Sequence, residues 1–141
     1  MIFKETPLKG AYVIQMELRI DERGFFARTF CSKEFKKLGL KDCMVQSNLS
    51  KSTKKHTLRG MHYQVNGSEE AKLVRCIRGG ILDVIIDIRP DSSTYCKYFS
   101  IELTESNNQL LYVPEGFAHG FVTLNENSEV FYQVSNFYAP G

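Results

Sequence analysis

The stretch LRGMHYQ, residues 58–64, brings together side chains that can move protons and hold anions. It contains Arg59 and His62, and a histidine ordinarily changes charge between about pH 5 and 8, which suits a general base or acid. A second histidine, His119, lies in PEGFAHGF, residues 114–121. Two histidines beside an arginine favour proton transfer next to an anion, because the arginine would repel a metal cation.

The spacing P-x-G-x-x-H, which ends at His119, resembles the second motif of cupins. Cupins are double-sheet jelly rolls that hold their ligands inside the barrel. Metal-binding cupins carry H-x-H in a first motif, whereas the matching place here is Arg59-Gly60-Met61-His62, with one histidine only. We therefore expect a site without a metal.

Every candidate residue also has an ordinary structural explanation. His62 and His119 could be polar residues on half-buried strands, and Tyr132 alternates with Val130 and Val134 as a core residue would. Lys72 could be a solvated charge at the edge of a sheet. Taken singly, none of these residues identifies a function.

The elements that must position these residues are mostly strands. The pattern predicts strands in 11–20, 24–30, 96–104, 109–113, 119–124 and 129–135, and a hairpin in 72–90 that turns at Gly79-Gly80. In its second strand, Asp83 and Asp87 share one face with Ile81 and Ile85. One short helix is expected, with Ser32 as N-cap and Gly39 as its stop. The predicted fold class is all-β, a sandwich or closed barrel.

Length and composition exclude several classes of protein. A chain of 141 residues fits one domain, residues 1–141. With a net charge of +2, the basic run KSTKKHTLR is too short for a nucleic-acid-binding tail, so no nucleic-acid partner is expected. No apolar stretch is long enough for a membrane span or a signal peptide. Four scattered cysteines without C-x-x-C spacing favour reduced thiols and a cytoplasmic location.

Five ordered motifs carry a family resemblance that runs from about residue 18 to the last residue. They are DERGFFARTF, VQSNLSKSTKKHTLRGMHYQ, KLVRCIRGGILDVIIDIRPDSSTY, LLYVPEGFAHGFVTL and FYQVSNFYAP. Together they closely resemble the dTDP-4-dehydrorhamnose 3,5-epimerases. The resemblance implies a cupin-like jelly roll that works as a homodimer, without metal or cofactor, on nucleotide-linked 4-keto-6-deoxy sugars in surface-glycan pathways such as O-antigen or capsule assembly.

The resemblance also implies residue roles. His62 corresponds to the base that removes a proton beside the C4 ketone, Lys72 to the cation at the enolate oxygen, and Tyr132 to the acid on the opposite face. Arg59 and Arg23 match residues that hold the diphosphate. The remaining matches are Gln46, Asn48 and His119 in the sugar pocket and Phe26 and Tyr138 near the nucleotide. Since the family's first strands cross to the partner subunit, Arg23 and Phe26 would serve the neighbouring site.

Two departures leave alternatives open. The family's aspartate partner of the catalytic histidine follows later than Gly141, so we expect His62 to lack it, with Asp83 or Asp87 as substitutes. Leu49 replaces a frequent histidine and would reshape the pocket edge. The alternatives are epimerisation of C3 or C5 alone, a sugar 3,4-ketoisomerase, or a non-catalytic sugar-nucleotide-binding protein. The nucleotide could be dTDP, GDP or CDP.

Overall fold

The computed structural model describes residues 1–140, which form twelve strands and one helix. The elements are β1 Ile2–Glu5, β2 Tyr12–Gln15, β3 Arg19–Asp21, β4 Gly24–Phe26, α1 Ser32–Lys37, β5 Gln46–Ser52, β6 Leu58–His62, β7 Lys72–Arg78, β8 Gly80–Asp87, β9 Tyr98–Thr104, β10 Gln109–Val113, β11 Phe117–Thr123 and β12 Ser128–Val134. The predicted all-β jelly roll with one short helix is confirmed.

Two antiparallel sheets face each other. The larger sheet has the strand order β1-β2-β10-β7-β12-β5, and the smaller one has the order β6-β11-β8-β9. Strands β3 and β4 form a separate hairpin. The predicted strand over 11–20 is therefore divided into β2 and β3, because the chain leaves the larger sheet after Gln15.

The main core lies between the two sheets. Its side chains come from alternate positions of the strands, as expected for a face that points inward. They include Val74, Cys76, Ile81, Ile85, Leu103, Leu111, Phe121 and Val130. This apolar half of the interior fixes the distance between the sheets and leaves the remaining half for polar side chains.

Helix α1 covers part of the outer face of the larger sheet. Phe35 is fully buried there, with ring centroids 5.5 Å from Phe3 and 5.8 Å from Tyr112. The N-cap is Cys31 rather than the predicted Ser32, and it makes no side-chain cap hydrogen bond. Gly39 ends the helix as predicted, with φ of +69°.

The predicted hairpin at Gly79-Gly80 is wrong. Strands β7 and β8 do not pair with each other, since β7 lies in the larger sheet and β8 in the smaller one. Gly79, with φ of +72°, is the corner at which the chain crosses between the sheets. The two-glycine signal correctly located the turn, but it could not distinguish a hairpin from a corner because both need the same backbone freedom.

The one helix in residues 1–140 is not long and apolar enough to cross a membrane.

Candidate active site

Strands β6 and β11 bring two histidines together on one wall of a cavity. His62 pairs with His119 across these strands, and β6 carries one extra residue between His62 and Arg59. The strands approach closely at Gly60 and Gly120. A Cβ on Gly120 would lie 2.8 Å from the Arg59 carbonyl oxygen and 2.8 Å from the Met61 sulfur, so this contact excludes a larger residue.

The opposite wall is the inner face of the larger sheet. Val134 of β12 pairs with Lys72 of β7 and with Gln46 of β5, and Tyr132 pairs with Asn48 in the adjacent row. Since alternate residues of a strand share a face, this wall carries a polar patch next to the apolar core. The patch consists of Gln46, Asn48, Lys72 and Tyr132. The strand register alone thus assembles four of the predicted residues.

Between these walls lies a cavity of about 130 Å³ that contains the three predicted catalytic residues. Its lining residues are Ser50, Arg59, His62, Lys72, His119, Gly120, Phe121 and Tyr132. A second, wider cavity of about 850 Å³ shares His62, Lys72 and Tyr132, and Gln46, Asn48 and Tyr138 also line it. The narrow cavity therefore opens into a space large enough for a bulky substituent of a bound sugar.

His119 is held by a buried carboxylate. Its Nε2 atom lies 2.6 Å from Oδ1 of Asp83, and Asp83 is completely buried. The other carboxylate oxygen, Oδ2, has no hydrogen-bond partner within residues 1–140. Because a buried carboxylate oxygen without a partner is costly, the pair fixes the ring of His119 at the expense of folding stability.

His62 lies on an exposed edge strand, and no carboxylate within residues 1–140 forms a hydrogen bond with its ring. The expectation that Asp83 or Asp87 replaces the family's aspartate beside His62 is wrong. Asp83 binds His119, while Asp87 accepts hydrogen bonds from Arg89, Ser92 and Thr94. The register explains this result, because both aspartates lie on β8, which is separated from β6 by β11.

Lys72 and Tyr132 are both largely removed from solvent. The Lys72 ammonium lies 3.1 Å from Oε1 of Glu70, and the two side chains are only 9% and 11% exposed. The interpretation of Lys72 as a solvated edge charge is therefore wrong. Burial raises the pKa of Tyr132; the nearby Glu70 raises it further and Arg59 lowers it. Tyr132 consequently keeps its proton at neutral pH and can act as an acid.

Arg59 and Gln46 are held by hydrogen bonds at the edges of the site. Arg59 donates from Nε to the Ser52 hydroxyl at 3.0 Å and from a terminal nitrogen to the Lys51 carbonyl at 3.1 Å. Gln46 donates to the side-chain oxygen of Asn48 at 3.1 Å. Arg59 keeps further N–H donors, so it can still bind an anion.

Residues 138–140 close one side of the wide cavity. Gln64 donates to the Phe137 carbonyl and accepts from the Ala139 N–H, and Gln46 accepts from the Tyr138 N–H. Tyr138 itself is 71% exposed, with its ring available at the mouth.

Three residues discussed from the sequence lie away from this site. Arg23 is exposed in the β3–β4 hairpin and pairs with Asp21 at 2.6 Å, and Phe26 is 68% exposed on the same hairpin. Phe26 lines a different cavity, next to Cys31 and Lys37. Leu49 points to the outer face of the larger sheet and is 62% exposed. The expectation that it shapes the pocket edge is therefore wrong.

Sequence reasoning did not assign two residues that the structure brings to the site. Asp83 was considered only as a partner of His62, and its true partner is 36 residues away in sequence. Glu70 was not singled out, although it precedes Lys72 by two positions, the spacing at which side chains of an extended chain share a face. No group of three metal-ligating side chains occurs in the part of the chain that the structure describes.

Comparison with known proteins identifies relatives of this chain. Residues 5–141 match the family model described as dTDP-4-dehydrorhamnose 3,5-epimerase. The dTDP-4-dehydrorhamnose 3,5-epimerase of Salmonella typhimurium is 42% identical over 141 residues, which are 99% of this chain and 76% of that protein.

Solved structures agree with this result. The crystal structure of dTDP-4-dehydrorhamnose 3,5-epimerase from Elizabethkingia anophelis NUHP1 matches with a TM-score of 0.95 at 43% identity, covering 99% of this chain and 76% of the other. The dTDP-6-deoxy-D-glucose-3,5-epimerase of Legionella pneumophila, in complex with dTDP-4-keto-L-rhamnose, matches with a TM-score of 0.92 at 35% identity, covering 99% and 73%. Because the family model, the curated relative and the solved structures all agree, the chain belongs to the dTDP-4-dehydrorhamnose 3,5-epimerase family, whose members are isomerases of the epimerase class.

Proposed function

We propose that this protein inverts C3, C5 or both carbons of a nucleotide-diphosphate-linked 4-keto-6-deoxy sugar, without a metal or cofactor. The observation that carries the proposal is the arrangement of the two walls. His62 lies on the smaller sheet, whereas Lys72 and Tyr132 lie side by side on the larger one. A sugar ring between the sheets would have a base on one face and an acid on the other.

The first step removes a proton next to the ketone. His62 takes the proton from C3 or C5, and the electron pair of the broken C–H bond moves to the C4 oxygen as an enolate. Lys72 stabilises this negative charge, because a positioned ammonium in a site shielded from water interacts strongly with a developing oxyanion. His119, whose ring is fixed by Asp83, offers a second oriented polar group on the wall that carries His62.

The second step returns a proton from the opposite face. Tyr132 donates its hydroxyl proton to the same carbon, and the enolate electrons re-form the ketone. The configuration of that carbon is thereby inverted. Proton exchange with solvent restores neutral Tyr132 and neutral His62. Because burial raises the pKa of Tyr132, the residue remains a proton donor throughout the neutral range.

The rest of the substrate would occupy the wide cavity and its rim. Arg59 lines the narrow cavity with free N–H donors and suits the diphosphate. Tyr138 presents an exposed ring that suits stacking against a base. Thymidine is our first choice of nucleoside, since a relative is solved with dTDP-4-keto-L-rhamnose; guanosine and cytidine are the alternatives. We place the reaction in cytoplasmic deoxysugar synthesis for surface glycans.

The proposal is tested by incubating the protein with dTDP-4-keto-6-deoxy-D-glucose in D2O. Each carbon that passes through the enolate exchanges its proton for deuterium, which mass spectrometry counts and NMR assigns to C3 or C5. We expect deuterium at one or both carbons. A product with the ketone moved to C3 would instead indicate a ketoisomerase, and binding without any exchange would indicate a binding protein.

His62→Asn and Tyr132→Phe are the matched variants for this experiment. General-base catalysis typically contributes 10²- to 10⁴-fold, so H62N should lower the exchange rate by roughly 10³-fold. Y132F should allow proton removal but slow its return to the opposite face, so exchange with retained configuration should exceed inversion. Equal activity of H62N and wild type would exclude the proposed base.

We further propose that the protein is a homodimer whose subunits exchange the β3–β4 hairpin residues Arg23 and Phe26. In support, the outer face of the larger sheet exposes the apolar side chains Leu49, Phe131 and Ile77. The hairpin adds exposed Phe25 and Phe26. Apolar area of this kind on a single chain is typical of a surface that another subunit covers.

Mixing two inactive variants tests the exchange directly. If Arg23 serves the neighbouring site, a hybrid of R23A and H62N subunits contains one complete site, so activity should return to about a quarter of wild type after random reassociation. If Arg23 serves its own site, or if light scattering finds a monomer, mixing restores nothing. Native mass spectrometry of the mixed subunits, which separates heterodimers from homodimers, provides the control for the efficiency of exchange.

A further inference from the structure

Glu70 is a carboxylate inside the cavity to which the steps above give no role. Its Oε1 atom lies 3.1 Å from the Lys72 ammonium, and its side chain is only 11% exposed. It lines the wide cavity together with His62, Lys72 and Tyr132. An acidic side chain therefore contacts one group of the proposed chemistry and lies near two others.

Glu70 is the ion-pair partner of Lys72. Within residues 1–140, Glu70 is the only carboxylate that forms an ion pair with Lys72. A lysine side chain is long and has several rotatable bonds, so an ammonium without a fixed partner would sample many positions. Glu70 occupies one of its three N–H donors and leaves two for a bound oxygen.

Simple charge balance does not explain the position of Glu70 at this depth. Two charges taken out of water lose solvation that their mutual attraction only partly returns, so a buried pair is a weak source of stability. The location of Glu70 on the cavity wall points to a role that depends on where Lys72 lies.

We propose that Glu70 is a positioning residue that holds the Lys72 ammonium at the place where the enolate oxygen forms. This inference rests on the proposed epimerase function and adds a residue to it. Glu70 does not exchange a proton with the sugar; it acts through Lys72. It thereby supplies, for the cation of this site, the orientation that Asp83 supplies for His119.

The same carboxylate also acts on Tyr132. Burial raises the pKa of Tyr132 most, and the negative charge of Glu70 raises it further, while Arg59 opposes both. The other titratable side chains that face the two cavities are His62, Tyr63, Lys72, His119 and Tyr138. Replacing Glu70 by glutamine removes its charge but keeps its size, so the pKa of Tyr132 should fall without a change in its burial.

The test compares Glu70→Gln, Glu70→Asp and the neighbouring control Glu69→Gln. Glu69 has the same charge, but its carboxylate forms no ion pair within residues 1–140, and only its backbone carbonyl accepts a hydrogen bond, from Asn136. For each variant, kcat and KM are measured from pH 6 to 10 by inversion of the dTDP-linked 4-keto sugar. Circular dichroism verifies the fold.

We expect E70Q to lower kcat by about tenfold with KM nearly unchanged, because the lost contact to a charged group matters most once the enolate forms. The alkaline limb of its pH profile should move to lower pH. E70D keeps the charge and should recover part of kcat and most of the alkaline limb, and E69Q should match wild type.

Wild-type kcat and an unchanged alkaline limb in E70Q would overturn the proposal, as would an E70D variant no better than E70Q. If E70Q fails to fold, E70D decides alone: it withdraws the carboxylate from Lys72, so an undiminished kcat would also overturn the proposal. An inactive wild-type protein would instead refute the epimerase function itself, so the two failures are distinguishable.

Discussion

Asp83 and Asp87 lie four residues apart on one face of β8, and both are completely buried. Their surroundings differ. Asp87 receives hydrogen bonds from Arg89, Ser92 and Thr94, including two from the Arg89 guanidinium at 2.9 and 2.7 Å. Asp83 has one partner, His119, and one oxygen without any within residues 1–140.

This difference separates a carboxylate that stabilises the fold from one that serves the site. Asp87 fastens the loop after β8 to the barrel, and every donor around it belongs to that loop. Asp83 faces a histidine that lines the cavity, and its free oxygen is an energetic cost that packing alone does not justify. We expect substitutions of the two residues to have opposite effects on stability and on activity.

Asp87→Asn should have the largest effect, and it should act on stability. Loss of the charge leaves Arg89 without its partner and weakens three hydrogen bonds, so the free energy of unfolding should fall by about 3 kcal/mol. Urea denaturation measures this change. The activity of the molecules that remain folded should stay within about threefold of wild type. A hundredfold loss of activity would contradict the assignment of Asp87 to the fold alone.

Asp83→Asn should reverse this pattern. The amide removes a costly buried charge, so the free energy of unfolding should change by less than about 1 kcal/mol. The ring of His119 would lose its carboxylate partner, and kcat should fall by about 30-fold, or about 2 kcal/mol. Equal losses of stability in D83N and D87N would show that both aspartates are structural.

Gly120→Ala should disturb the pairing of His62 with His119 without touching either aspartate. The added Cβ would lie 2.8 Å from the Arg59 carbonyl oxygen, so β6 must move away from β11. We expect a loss of about 1.5 kcal/mol in stability together with a fall in kcat. The exchange assay and a thermal melt measure both; unchanged kcat would mean that the spacing of the two histidines is unimportant.

Acid should produce the smallest effect, which again concerns Asp87. Burial raises the pKa of Asp87, but hydrogen bonds from Arg89, Ser92 and Thr94 lower it more, so its pKa lies well below the usual range. A depressed pKa gives stability that is fully present above the pKa of the unfolded chain, about 3.9, and declines as pH falls further. The stability difference between wild type and D87N should therefore be constant from about pH 7 to 5 and shrink below about pH 4. A constant difference down to about pH 2 would contradict this.

Local patterns predicted most of the fold. Period-2 alternation located the strands from β7 to β12, and Gly39 marked the end of α1. The partner of each strand was not predictable in this way. Gly79-Gly80 carries the same signal in a hairpin and in a corner, and the choice between them depends on how the two sheets pack against each other.

The residues of the candidate site were predictable where they lie in the family's sequence motifs. His62, Lys72 and Tyr132 line one cavity as expected, together with Gln46, Asn48, Arg59, His119 and Tyr138. The pair of His119 with Asp83 was missed because it depends on the register of β8 against β11. That register follows from packing between distant segments, which spacing in the sequence does not reveal.

The corner at Gly79 has a consequence for synthesis on the ribosome. Since β7 and β8 do not pair, their partners all come from β9 to β12, which end at Val134. The edge strands β5 and β6 likewise wait for β12 and β11. Pairs such as β1–β2 and β8–β9 can form early, but neither sheet can be completed before β11 and β12 have emerged. We therefore expect late, slow folding, with a period in which the apolar strands depend on chaperones.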